Sequence, residues 1–159
     1  MQAPISLVID RNQIQQVADH YRSLGKKIVF TNGCFDLLHI GHVRYLKQAQ
    51  ELGDVLIVGI NTDVSVRQLK GPTRPIQNEN DRAEILASLK WVNHTVLFGE
   101  ETPLQLIQQI RPDILVKGGD WQIHQIVGSD FVISYGGRVQ SLQFVNGRST
   151  TSIIEKSKN

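Results

Sequence analysis

The stretch VLIVGIN, Val55 to Asn61, is apolar at six consecutive positions and then turns polar. A strand with one wet face alternates apolar and polar residues, whereas an unbroken run this short belongs to a strand covered on both faces. Such strands occur in parallel sheets with helix layers above and below. The rest of the chain must therefore supply further strands and crossover helices. Candidate strands are KIVFTNG (27–33), HTVLFG (94–99), DILVKGGD (113–120) and RVQSLQF (138–144). Between them, HVRYLKQAQELGD carries Val43, Leu46, Ala49 and Leu52 at helical spacing, and Gly53 closes it. ENDRAEILASLKW, TPLQLIQQIR, SDFVISYGG and STTSIIEKSK complete the alternation. This predicts an α/β fold with a parallel five-stranded sheet and helices on both faces.

Ahead of this unit, Ile14, Val17, Ala18, Tyr21 and Leu24 mark a helix over Asn12–Leu24, with Gly25 as its stop. Residues 1–25 are thus expected to form a helical segment packed on one domain of residues 26–159. The 159 residues suffice for one sizeable core. A net charge of +2 argues for neither a nucleic-acid nor a membrane surface, and no run approaches a membrane span. The lone cysteine, Cys34, excludes an internal disulfide and fits a reducing cytoplasm, and no signal-peptide layout opens the chain.

Ligands of such sheets collect at the carboxyl ends of the strands, where strand order reverses. Those ends carry Thr31-Asn32-Gly33, Asn61-Thr62-Asp63, Lys117-Gly118-Gly119-Asp120 and, before the last helix, Asn146 to Thr151. After the first of them comes CFDLLHIGH, with His39 and His42 around Gly41. It is neither a G-x-G-x-x-G dinucleotide turn nor a G-x-x-x-x-G-K-[ST] loop. Zinc ligation by this pair lacks a third ligand nearby and the H-E-x-x-H spacing, and a purely structural turn cap is a second reading. A glycine turn, two histidines and a helix start in one place favour a third, contact with phosphate.

TNGCFDLLHIGH resembles the H-x-G-H signature of the nucleotidyltransferase superfamily. KGPTRPIQNENDR, LVKGGDW, IVGSDFVISYGGRV and GRSTTSIIEK, in that order, are similar to the adenylyltransferase domain of ADP-heptose synthase. The likeness runs from about Lys26 to the C-terminus and implies a Rossmann-like fold. No K-M-S-K-S segment is present, which argues against an aminoacyl-tRNA synthetase. No sugar-kinase domain accompanies the motifs, so the likeness is to the stand-alone adenylyltransferase, with a separate heptose kinase in its pathway. Its implied reaction transfers AMP from ATP to D-glycero-β-D-manno-heptose 1-phosphate. Glycerol-3-phosphate cytidylyltransferase has similar motifs but an arginine where Phe144 stands. A non-catalytic adenylate-binding module is the alternative of another class, and it would be expected to lack one of the two histidines.

The resemblance implies roles residue by residue. His39, His42 and Lys70 would act on the triphosphate as catalytic groups, with Lys70 in a Gly/Pro-rich loop. Thr31, Asn32, Gly33, Cys34, Phe35, Lys117, Gly118, Asp120, Trp121, Ser149, Thr150 and Thr151 would hold the nucleotide. Asp63, Arg74 and Arg82 would meet the acceptor, with Arg82 facing its phosphate. Magnesium is expected with ATP, held by phosphate and water rather than by protein ligands. Self-association is expected, as relatives of the fold commonly do.

Overall fold

The computed structural model describes residues 7–143 and 149–159. Its order is β1 (Val8–Ile9), a 3-10 turn (Arg11–Gln13), α1 (Ile14–Ser23), β2 (Ile28–Gly33), α2 (Ile40–Gln50), β3 (Val55–Asn61), α3 (Asp63–Lys70), α4 (Glu79–Ala87), β4 (His94–Phe98), α5 (Leu104–Ile110), β5 (Ile114–Gly118), a 3-10 turn (Ile123–Gln125), α6 (Ser129–Ser134), β6 (Arg138–Leu142) and α7 (Thr150–Ser157). All strand pairs are parallel, in the order β1-β4-β3-β2-β5-β6.

The sheet has six strands where the sequence reading expects five. The extra one, β1, pairs Val8 with Thr95 and Ile9 with Val96. Two residues are too few to show a period, so nothing in the pattern announces it. A second difference is α3, which the sequence reading takes as loop. Thr62 caps it, its Oγ1 accepting from Ser65 N–H, and Lys70 is its last residue. Its polar run DVSVRQLK buries only Ser65 and Val66, too little for a clear apolar stripe.

Every residue of β3 is buried. Strand side chains alternate between two cores. Ile28, Phe30, Ile57, Val96, Phe98 and Leu115 face α1, α5 and α6, which contribute Ile14, Ala18, Leu106, Ile107, Ile110 and Val132. Val29, Leu56, Val58, Ile60, Ile114 and Val116 face α2 and α4, which contribute Tyr45, Leu46, Ala49, Ala83 and Leu86. Gly59 interrupts the β3 run because a Cβ there would sit 2.9 Å from both Phe30 Cζ and Leu106 Cδ2. Glycine at this point lets α5 lie against the sheet.

Topology fixes where a ligand can enter. From β2 the chain steps outward to β3 and β4, then returns over α5 to β5 on the other flank of β2. The connections on either side of β2 diverge and open a crevice beyond the carboxyl ends of β2 and β5.

Candidate active site

A cavity of about 610 Å³ opens at that crevice, within the usual range for small-molecule sites. Its floor is the turn from β2 into α2. Phe35 takes a left-handed conformation there, with φ of 47°. Its ring lies where a Cβ on Gly33 would stand 2.9 Å from Phe35 Cε2, so glycine is what permits the turn.

His39 is the N-cap of α2. Its Nδ1 accepts from Gly41 N–H at 3.1 Å, and His42 Nδ1 accepts from His39 N–H at 3.4 Å. An imidazole that accepts at Nδ1 carries its neutral-form proton on Nε2. The rings stack with centroids 3.8 Å apart and planes inclined by 27°. Burial, and secondarily the neighbouring His39, push the His42 pKa down to about 4. At neutral pH the ring of His42 is therefore an uncharged donor at a helix N-terminus.

Three further elements build the walls. Lys117, near the end of β5, has its pKa lowered by burial, and its Nζ stands 5.6 Å from the Trp121 ring centroid. Trp121 Nε1 donates to Gly118 O at 3.0 Å, fixing the indole at the rim. The start of α7 closes the opposite side: Ser149 Oγ accepts from Ser152 N–H, and Thr150 Oγ1 donates to Leu37 O at 2.8 Å. That last bond ties α7 to the loop carrying His39. The end of α3 brings Leu69 and Lys70.

Of the residues singled out from sequence, His39, His42, Lys70, Asn32, Gly33, Cys34, Phe35, Lys117, Gly118, Trp121, Ser149, Thr150, Thr151 and Arg74 all line this cavity. Four do not. Thr31 is buried behind it, its Oγ1 2.6 Å from Tyr45 OH. Asp120 is exposed outside. Arg82 does not face open space: it is 1% exposed and donates to Gln77 O, Cys34 O and Asn61 O and, at 2.8 Å, to Asp63 Oδ1. Asp63 is thereby turned toward Arg82 as well. Phe144, Asn146, Gly147 and Arg148 lie outside the described residues.

Asn61, at a strand end the sequence reading points to, also lines the cavity, as do Asp36, Tyr45, Glu101 and Thr102, which that reading passes over. Asp36 had a usable signal, a carboxylate among apolar neighbours inside the histidine motif. Among the described residues no group of three His, Cys, Asp or Glu side chains is placed to hold a metal.

This arrangement has counterparts. The cytidylyltransferase-like family profile matches residues 30–156, a span from β2 through α7 that includes every described wall of the cavity. The chain belongs to the cytidylyltransferase-like family. Among its relatives are proteins named bifunctional protein HldE. The one from Syntrophotalea carbinolica is 56% identical over 92% of this chain and 30% of its own length. That from Citrifermentans bemidjiense is 60% identical over 84% of this chain and 28% of its own length. The chain thus spans about 30% of the length of these curated relatives. A crystal structure of the lipopolysaccharide core biosynthesis protein from Thermoplasma volcanium is 30% identical. It covers 76% of this chain and 98% of its own, with a TM-score of 0.62. The pantoate-beta-alanine ligase from Francisella tularensis, complexed with a β-γ ATP compound and beta-alanine, is 19% identical with a TM-score of 0.63. It covers 97% of this chain and 77% of its own, and its likeness extends to the fold alone. No helix among the described residues of this cytidylyltransferase-like chain is long and apolar enough to cross a membrane.

Proposed function

We propose that the chain is an adenylyltransferase that joins the AMP of ATP to D-glycero-β-D-manno-heptose 1-phosphate, releasing pyrophosphate. The observation that carries the reading is the meeting, in one cavity, of a stacked His39–His42 pair at the start of α2, the hydroxyls at the start of α7, and Lys70 and Lys117. Two helix N-termini with donors and cations around them suit a polyphosphate. Support for the substrate comes from the relatives named HldE and from the lipopolysaccharide core biosynthesis protein.

An oxygen of the sugar 1-phosphate attacks the α-phosphorus of ATP. The bond from that phosphorus to the bridging oxygen breaks, and pyrophosphate leaves with the electron pair. The reaction needs no protein nucleophile, so position and field supply the rate. His39 and His42 donate toward the triphosphate, where negative charge grows on the leaving group. A well-placed donor of this kind is worth about 3 kcal/mol. His42 is neutral at physiological pH, so it contributes a donor without a charge that must first be desolvated.

Magnesium is a fitting companion because it arrives with the nucleotide and neutralises phosphate oxygens. The protein leaves that role to phosphate and water. Asp36 is committed to Arg74 and two backbone N–H groups, and Glu101 is the other carboxylate lining the cavity among the described residues. With ATP as donor, the reaction belongs in the cytoplasm. A kinase step upstream must supply the phosphate of the sugar 1-phosphate.

Pyrophosphate release is measured for ATP and CTP, each with heptose 1-phosphate and glycerol 3-phosphate. Turnover of ATP with heptose 1-phosphate is expected. Release only from CTP with the polyol phosphate makes the chain a cytidylyltransferase, and ATP binding without release under any pairing makes it a binding module.

A further inference from the structure

The two reactants are both anions, and the cavity must hold them apart before it joins them. Arg82 was the expected partner of the acceptor phosphate, yet its donors are committed to three carbonyls and Asp63. Some other group must take the acceptor. Lys70 is an exposed point charge at the end of α3, and Lys117 stands with Trp121 on the far flank of β2.

Arg74 is placed differently from both. It lines the cavity, its side chain is 13% exposed, and its Nε donates to Asp36 Oδ2 at 2.9 Å. No protein group among the described residues accepts from its two Nη atoms, and no buried side-chain nitrogen there lacks a partner. The Nη groups therefore face open space. Asp36 is itself held rigidly. Its carboxylate, 1% exposed, accepts from Ile76 N–H at 2.9 Å and Gln77 N–H at 3.0 Å, and its carbonyl accepts from Gln77 Nε2 at 2.6 Å. One buried carboxylate thus pins residues 74 to 77 against the loop that leads into His39.

We propose that Asp36 is a positioning residue that holds Arg74 by its Nε so that the two Nη groups form a fork for the phosphate of the acceptor. The inference rests on the adenylyltransferase reading above and adds to it the group that receives the sugar phosphate. A guanidinium gripped at Nε has its plane fixed, and its remaining donors match two phosphate oxygens. Asp36 offsets part of the field of Arg74. The return is orientation: the arginine does not have to be ordered when substrate arrives.

The test uses the full chain with ATP and heptose 1-phosphate, plus thermal melting of every variant. Wild type must first turn over; if it does not, the functional reading fails and this inference is not what failed. If wild type instead uses CTP and glycerol 3-phosphate, the same variants are measured with that phosphate acceptor. Arg74→Lys keeps the charge but loses the fork, and a rise in acceptor KM of roughly tenfold or more is expected, with the KM for ATP changed by less than about threefold. Asp36→Asn loses the pair and turns an N–H₂ toward a donor, and the same split is expected. Combined, the two changes should do little more than either alone, because they disable one device. Three results overturn the proposal: an unchanged acceptor KM in Arg74→Lys, equal rises in both KM values, or effects of the two substitutions that multiply. Loss of folding in Asp36→Asn leaves Arg74→Lys to decide.

Discussion

Arg82 and Lys117 are both basic side chains at the carboxyl edge of the sheet, and they live under opposite electrostatic conditions. The Arg82 side chain is fully buried, but its guanidinium donates to three carbonyls and to the Asp63 carboxylate. Lys117 is half-buried, and no carboxylate among the described residues pairs with it, so burial pulls its pKa down. The same contrast separates Asp36, kept charged against its own burial by the Gln77 and Ile76 N–H groups and by Arg74, from His42, which burial keeps neutral. Charge that the chain compensates for itself holds loops together. Polar groups left uncompensated beside a cavity are candidates for ligand contact, and under the proposed function that ligand is a phosphate.

The largest effect is expected on the compensated side. Arg82→Leu strands Asp63 and removes the clamp joining α4 to the ends of β2 and β3. Breaking a buried pair in this way costs about 3–5 kcal/mol, to be read as a lowered urea midpoint. A variant with unchanged midpoint and lost turnover would move Arg82 from scaffold to substrate contact and break the comparison. On the uncompensated side the signs reverse. His42→Ala is expected to lower kcat by roughly 10²–10³ while the melting temperature stays close to wild type. Unchanged kcat would remove His42 from the chemistry.

Acidity probes the same contrast through stability. The His42 pKa falls from an ordinary 6.5 to about 4 in the folded chain. Between those values the unfolded state binds more proton, so stability must fall as pH drops through the window. The loss is at most about 3 kcal/mol, and His42→Gln should flatten that segment of the curve. Asp36 has its folded pKa lowered, so its contribution is present above the ordinary carboxylate range and is lost at still lower pH. Two separate declines are expected in urea midpoints measured from pH 7 to 3. An unchanged slope between 6.5 and 4 in His42→Gln would show that another group carries the upper one.

How much of this was legible depended on how local each signal is. The central strands could be read because two covered faces impose continuous apolar runs, as in β3. The histidine pair could be read because a glycine turn and a helix start sit within nine residues of one another. What escaped was either too short or too distant. β1 has two residues, and α3 hides its helical period behind a polar sequence. Arg82 looked like a substrate residue because its charge is visible in the sequence, while the carbonyls that claim it come from residues 34, 61 and 77. Asp36 escaped for the same reason, its partners lying 38 to 41 positions away.

The smallest expected effect tests the contrast most finely. Lys117→Met removes an ammonium that burial disfavours and keeps an unbranched chain of similar reach beside Trp121 and Cys34. If Lys117 served the scaffold, the change would lower stability. As an uncompensated cation awaiting an anion, it should leave the urea midpoint equal or slightly raised, since an apolar group replaces a desolvated charge. Binding should move the other way, with a loss of roughly tenfold, about 1.4 kcal/mol, in affinity for whichever phosphate-bearing reactant it faces. Trp121 gives the readout, because its indole lies 5.6 Å from the ammonium and is held at the rim by Gly118. Titrating ATP and the sugar phosphate separately, and following tryptophan fluorescence, assigns the lysine to one of them. A destabilised Lys117→Met with both affinities intact would place Lys117 with Arg82, and the division between the two regions would fail at its most exposed point.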